Sequence, residues 1–143
     1  MGRIKIDMPS KVIGTIDIPV RISDINYGNH LGNDSLVSLI HEARVLWLKK
    51  HHYTELNAAG AGLIMGDLAV EYLNESFYGD ILTISIAAGE ISKVSFELFY
   101  AIQTSRQEKN IFIAKAKTGM ICYDYTNRKV MSIPADLRAK LEG

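Results

Sequence analysis

The sequence predicts an α+β fold in which a curved antiparallel sheet wraps round one long central helix. Three observations lead there. Residues from about 34 to 50, DSLVSLIHEARVLWLKK, form the longest helix-like run, with Leu36, Leu39, Ile40, Ala43, Leu46 and Trp47 at spacings of three and four. Val37, Val45 and Leu48 widen that apolar surface beyond a narrow stripe, as in a helix enclosed by other structure. From residue 63 onward the helical period gives way to long runs that alternate apolar and polar residues. Strands of that length, with sequential neighbours paired, make a strongly curved sheet, and the helix is the element able to fill its concave side.

Residues 12–22 open the chain as a strand, because Ile16, Ile18 and Val20 alternate with polar or small neighbours, and Pro19 suggests an edge position or a bend. A polar loop rich in Gly, Asn and Asp covers 23–33 and feeds the helix, so free backbone N–H groups and partial positive charge collect at the junction. Lys49, Lys50, His51 and His52 gather at the helix end, where positive charge suits the negative pole. A short second helical turn is expected over 53–59, before Gly60 and Gly62. Strands follow at 63–73, 81–91, 94–104 and 111–123, the third with Phe96, Leu98, Tyr100 and Ile102 on one side. Turn-rich connectors occupy 74–80, 105–110 and 124–129. Val130 and Met131 extend briefly, and Pro134 suits the first turn of a terminal helix.

At 143 residues the length fits a single domain over 1–143 that buries roughly two thirds of its unfolded surface. Sixteen basic and sixteen acidic residues cancel, so net charge favours neither nucleic acid nor an anionic membrane as partner. Cys122 is alone, which excludes an intramolecular disulfide and fits a reducing compartment. No signal-peptide core or membrane-length apolar run is present, so a cytoplasmic protein is expected. Familiar catalytic signatures fail: His41-Glu42 starts a zinc-protease pattern that Val45 breaks, and Gly60-x-Gly62 meets Met65 where a dinucleotide fingerprint needs a third Gly. There is no G-x-S-x-G and no phosphate-binding loop, and Cys122 sits in an apolar strand as a core residue would.

One set of motifs does match. Arg21, Asp24, His30, Asn33 and the HEAR tetrapeptide (41–44) fall on a pattern R-x-x-D-x-D-x-x-G-H-V-N-N-x-x-Y followed by a helix with E-x-A-R. EYLNESFYGD (71–80) is like a Y-x-x-P-x-x-x-G-D connector, and the Ser95–Phe96 pair and SIPADLR (132–138) complete the order. In these the sequence resembles the hotdog-fold acyl-CoA thioesterases of the 4-hydroxybenzoyl-CoA thioesterase-like superfamily. The resemblance implies hydrolysis of an acyl-CoA thioester to free acid and CoA, with no metal and no cofactor beyond the CoA of the substrate. It also implies a homodimer whose sheets join edge to edge, pairing again in a homotetramer, with each site at a subunit interface. Departures are Asn26 at the second, often catalytic, Asp; Asn29 at the Gly before the His; Gly32 at the first Asn; and Leu36 at the aromatic.

Thioester hydrolysis needs oxyanion stabilisation and activation of water or of a nucleophile. Backbone N–H groups around Asn33 and Asp34, reached across Gly28 and Gly32, are expected to supply the first. For the second, Asn26 can only orient groups through hydrogen bonds, whereas a carboxylate could act as base. His30 or Glu42 is the expected base, and His41, where relatives are often acidic, is a further candidate. A buried Glu42 would need a partner, with Arg44 or Arg21 the obvious ones, and Asp24 is expected to brace the loop. Lys93, with Ser95, is the candidate for binding CoA phosphates. Because of Asn26, a non-catalytic module binding acyl-CoA or an acyl-carrier-protein thioester is the alternative. A hydratase or dehydratase fits less well, because its His-Phe-Pro motif is missing.

Overall fold

In the computed structural model, which describes residues 2–143, the chain runs β1 (Val12–Pro19), a 3-10 turn (Ile22–Asp24), α1 (Asn33–Lys50) and β2 (Gly62–Tyr72). β3 (Ile81–Ile91), β4 (Ser95–Arg106), β5 (Lys109–Asp124), the two-residue β6 (Lys129–Val130) and α2 (Ala135–Glu142) follow. The α+β expectation holds, and most elements begin and end within two residues of the sequence pattern.

The sheet is antiparallel in the order β1-β3-β4-β5-β2, with β6 added to β5. That order corrects one expectation. β2 does not pair with β3, its neighbour in sequence; it pairs with β5 and ends as a free edge. Alternation along β4 buries Phe96, Leu98, Tyr100 and Ile102, and β3 contributes Leu82, Ile84 and Ile86 to the same core. Cys122 lies there too, its thiol pushed up by burial to about 11, which suits a core residue and not a nucleophile.

α1 lies in the concavity through Leu36, Leu39, Ile40, Ala43, Trp47 and Leu48. Burying each large side chain contributes roughly 1.5–3 kcal/mol, against roughly 0.2–0.5 kcal/mol for a surface pair along a helix, so tertiary packing holds α1 in place. Trp47 presses so closely on β1 that a Cβ at Gly14 would come within 2.5 Å of its ring, which is why a glycine interrupts that strand. The enclosure is incomplete, however. Asp34, Ser38, His41, Glu42, Val45 and Lys49 are exposed and form an open stripe along α1.

The expected second helical turn does not form. Thr54 and Asn57 exchange backbone hydrogen bonds of 3.1 and 3.2 Å in a turn, and Leu63 N–H donates to the Glu55 carbonyl at 2.7 Å, tying the segment to the start of β2. No helix among the described residues is long and apolar enough to cross a membrane.

Candidate active site

The loop entering α1 is pinned from below by the turn that precedes β3. Val20 N–H donates to the Asp80 carbonyl at 2.8 Å, and Leu31 N–H donates to the Ser76 carbonyl at 2.7 Å. Inside the loop, buried Asp24 accepts from the Arg21 backbone N–H at 2.8 Å, and Gly32 N–H donates to the Asp24 carbonyl at 3.0 Å. Asp24 therefore braces the loop. Asn29 has φ 64°, a left-handed conformation that Asn tolerates better than most residues, which explains Asn where the motif has Gly.

Gly32 caps α1 without a side-chain hydrogen bond, and the amides of Asn33, Asp34 and Ser35 have no acceptor among the described residues. Three unpaired donors and the positive end of the helix dipole thus face one spot. Of the three residues, Asn33 borders a cavity of about 230 Å³ whose walls also include His30, Gly32, Leu36, Tyr72 and Ile113. The Asp34 carboxylate folds back over Gly32, 2.8 Å from where a Cβ would stand, so no side chain fits at the cap. Tyr72, from the free edge strand, donates its hydroxyl to the Asn33 carbonyl at 3.0 Å. Burial, then the charge of Asp34, raises its pKa, which keeps that hydroxyl a donor.

His30 and Asn26 lie beside this helix start. His30 turns Nδ1 to the Leu31 carbonyl at 3.3 Å, and its Nε2 stands 4.0 Å from Glu75. Asn26 accepts the Gly28 N–H on Oδ1 at 2.9 Å, an Asx turn, and its own N–H donates to the His30 carbonyl at 2.9 Å. Its Cβ packs near Gly32. The structure thus brings together Asn26, His30, Gly32, Asn33 and Asp34.

It does not bring in the rest. Glu42 is exposed on the open stripe and makes no hydrogen bond or ion pair among the described residues, so the expectation of a buried, partnered carboxylate is wrong. Arg44 is the buried one. Its Nε donates to Glu55 Oε2 at 2.9 Å and its Nη1 to the Tyr100 hydroxyl at 3.3 Å, and that hydroxyl meets Thr118 Oγ1 at 2.9 Å. His41 Nε2 contacts the other oxygen of Glu55. Burial alone would raise the Glu55 pKa, but hydrogen bonds from His41 and Arg44 and the Arg44 charge outweigh it and hold the carboxyl below its ordinary range. Glu55 was missed in the sequence. The usable signal was His41 and Arg44 three apart on one helix face, both seeking an anion.

Lys93 and Ser95 lie beyond the far end of β3, which starts next to Asp80 and runs 11 residues, a span of roughly 33–36 Å. In one chain they do not reach the helix start. Ser95 instead borders a hollow of about 420 Å³ on the outer sheet face with Asp67, Glu97 and Lys117.

A family model described as the thioesterase-like superfamily matches residues 20–141. The chain belongs to that superfamily. Among solved structures, this thioesterase-like protein is similar to a thioesterase superfamily protein from Jannaschia sp. CCS1, with TM-score 0.81 and 16% identity over 93% of this chain and 83% of that one. It is similar to a 1,4-dihydroxy-2-naphthoyl-CoA thioesterase from Synechocystis, with TM-score 0.77 and 18% identity over 89% and 93% of the two chains. A 4-hydroxybenzoyl-CoA thioesterase mutant, solved in complex with 4-hydroxybenzoyl-CoA, superposes with TM-score 0.78 and 15% identity over 89% and 96%. No curated protein matches. The thioesterase-like protein therefore has the hotdog fold, its α1 being the central helix.

Proposed function

We propose that this protein hydrolyses an acyl-CoA thioester to the free acid and CoA, with water as co-substrate and without metal or redox cofactor. The observation that carries the proposal is the run of unpaired first-turn amides of α1, which starts at Asn33 on the wall of a cavity that His30 and Tyr72 also line. The thioester carbonyl sits against the amides of Asn33 and Asp34. Losing one such donor typically costs about 2.7–4 kcal/mol of transition-state stabilisation, so this part supplies a large share of the rate. Asn26 and His30 position thioester and water beside it.

The free edge of β2 and the open stripe of α1 support a homodimer joined through β2, as unprotected edges favour pairing. In such a dimer Lys93 of one chain can serve the CoA held by another, a role one chain alone does not support.

A binding module is the second reading, favoured by the Asx turn that engages Asn26 Oδ1. Thiol release from short, medium, long and aromatic acyl-CoAs separates the two. Hydrolysis is expected with one acyl class preferred, and His30→Ala should lower kcat/KM at least tenfold. Saturable acyl-CoA binding by calorimetry with no thiol release would establish the binding module instead.

A further inference from the structure

We infer that His41 is the base that activates water, and that Glu55, clamped by Arg44, is the positioning residue that aims it; this rests on the hydrolase reading above. The two histidines near the open face of α1 are held very differently. His30 has one long hydrogen bond to a carbonyl and an exposed carboxylate 4.0 Å away. His41 is joined through Nε2 to Glu55, whose second oxygen is fixed at 2.9 Å by buried Arg44. Arg44 is anchored in turn by Tyr100 and Thr118 in the core, and the Glu55 backbone is tied to Leu63. A base fixed by a second group that is itself fixed is the arrangement that activates water or a nucleophile. The chain of contacts runs from the core to an imidazole whose side chain is 57% exposed.

An ionised Glu55 accepts a hydrogen bond and cannot donate one, so Nε2 carries the proton and the lone pair lies on Nδ1. Nδ1 has no partner among the described residues. It takes a proton from water as the water oxygen bonds to the thioester carbonyl carbon. When the tetrahedral intermediate collapses, the C–S bond breaks and the imidazolium returns that proton to the departing thiolate, leaving carboxylic acid and CoA thiol. His41 borders a cleft of about 230 Å³ between α1 and β2, with Val37, Ile40, Met65 and Leu68 as apolar walls and Thr118 among its polar groups.

Eight residues of helix separate His41 from Asn33, about 12 Å, so His41 cannot reach a thioester at the start of its own helix. It reaches one held by a second copy. Two α1 helices running antiparallel about a twofold axis near Val37 set the His41 of each opposite the Asn33 of the other. Val37 is half-buried and Ser38 exposed on the open stripe beside the free edge strand, where such an axis must pass.

Steady-state thiol release from the preferred acyl-CoA tests this. His41→Ala should lower kcat at least tenfold with KM within twofold, and added imidazole should restore part of the loss. Glu55→Gln keeps the shape and an acceptor oxygen but removes the charge; it should lower kcat three- to tenfold at unchanged KM and unchanged circular dichroism. Co-expressing His41→Ala with His30→Ala chains should return roughly a quarter of wild-type turnover, since half of the dimers regain one whole site of two. Unaltered kcat in His41→Ala, with the wild type active, overturns the base assignment alone. Single variants that are both inactive and stay inactive when co-expressed overturn the crossed arrangement. No thiol release by the wild type overturns the hydrolase reading and this assignment with it.

Discussion

Tyr72 stands where a single hydroxyl reaches the proposed oxyanion donors. The carbonyl it donates to, that of Asn33, belongs to the same peptide unit as the Asp34 N–H. A hydrogen bond on the carbonyl side orients and polarises that N–H. Tyr72→Phe should therefore lower kcat by up to about tenfold, equivalent to the roughly 0.5–1.5 kcal/mol of one hydrogen bond, while KM stays within twofold. An equal rise in KM with kcat unchanged would show that the hydroxyl only binds substrate. At this scale the sequence was informative only in part. Asn29 reads only as a departure from the motif's Gly, its left-handed φ coming from the structure, whereas the sequence marks Asp24 as a loop brace. It misled at Glu42, because one exposed position in a largely apolar helix looks the same as a buried one until the sheet is placed around it.

The turn between β2 and β3 is the element that holds the candidate-site loop to the sheet, and Asp80 holds the turn. Its carboxylate accepts from Ser76 Oγ at 2.7 Å, the Phe77 N–H at 2.9 Å and Arg106 Nη2 at 2.7 Å. Arg106 also donates to the Glu75 carbonyl at 2.9 Å. Burial would raise the pKa of Asp80, but these donors and the Arg106 charge outweigh it and lower it. A carboxyl depressed in the folded state stabilises fully above its unfolded pKa of about 3.9, and the contribution is lost as pH falls through the folded value. Asp80→Ala should cost about 1.5–3 kcal/mol at neutral pH by urea unfolding, and the gap to the wild type should narrow below about pH 4. A gap independent of pH would mean that packing, not charge, sets the effect. The Y-x-x-P-x-x-x-G-D likeness flagged this turn, though not its hydrogen bonds to the loop's two ends, which are tertiary contacts.

For the whole molecule, a period of two in the strands and of nearly four in α1 was enough to read an α+β fold with the helix in the concavity. Strand order was not legible, because alternation says which face is buried and nothing about which neighbour is hydrogen-bonded. β2 pairs with β5, Gly62 opposite Tyr123, and the segment that sends it there is a turn whose sequence predicts helix. That segment also carries Glu55, so a single misread connection hid both the topology and the carboxylate behind His41.

The same topology divides the chain by folding speed. β3, β4 and β5 are joined by short turns, whereas β1 and β2 must each close a long loop before pairing, which is entropically slow. The turn from Arg106 to Lys109 is then a place where folding can be delayed, because Gln107 and Glu108 have φ of 51° and 63°, angles that disfavour side chains. Replacing this pair by Asn-Gly should stabilise by about 1–2 kcal/mol. In stopped-flow experiments the gain should appear as faster refolding with little change in the unfolding limb. A gain confined to slower unfolding would mean that the hairpin forms after the rate-limiting step.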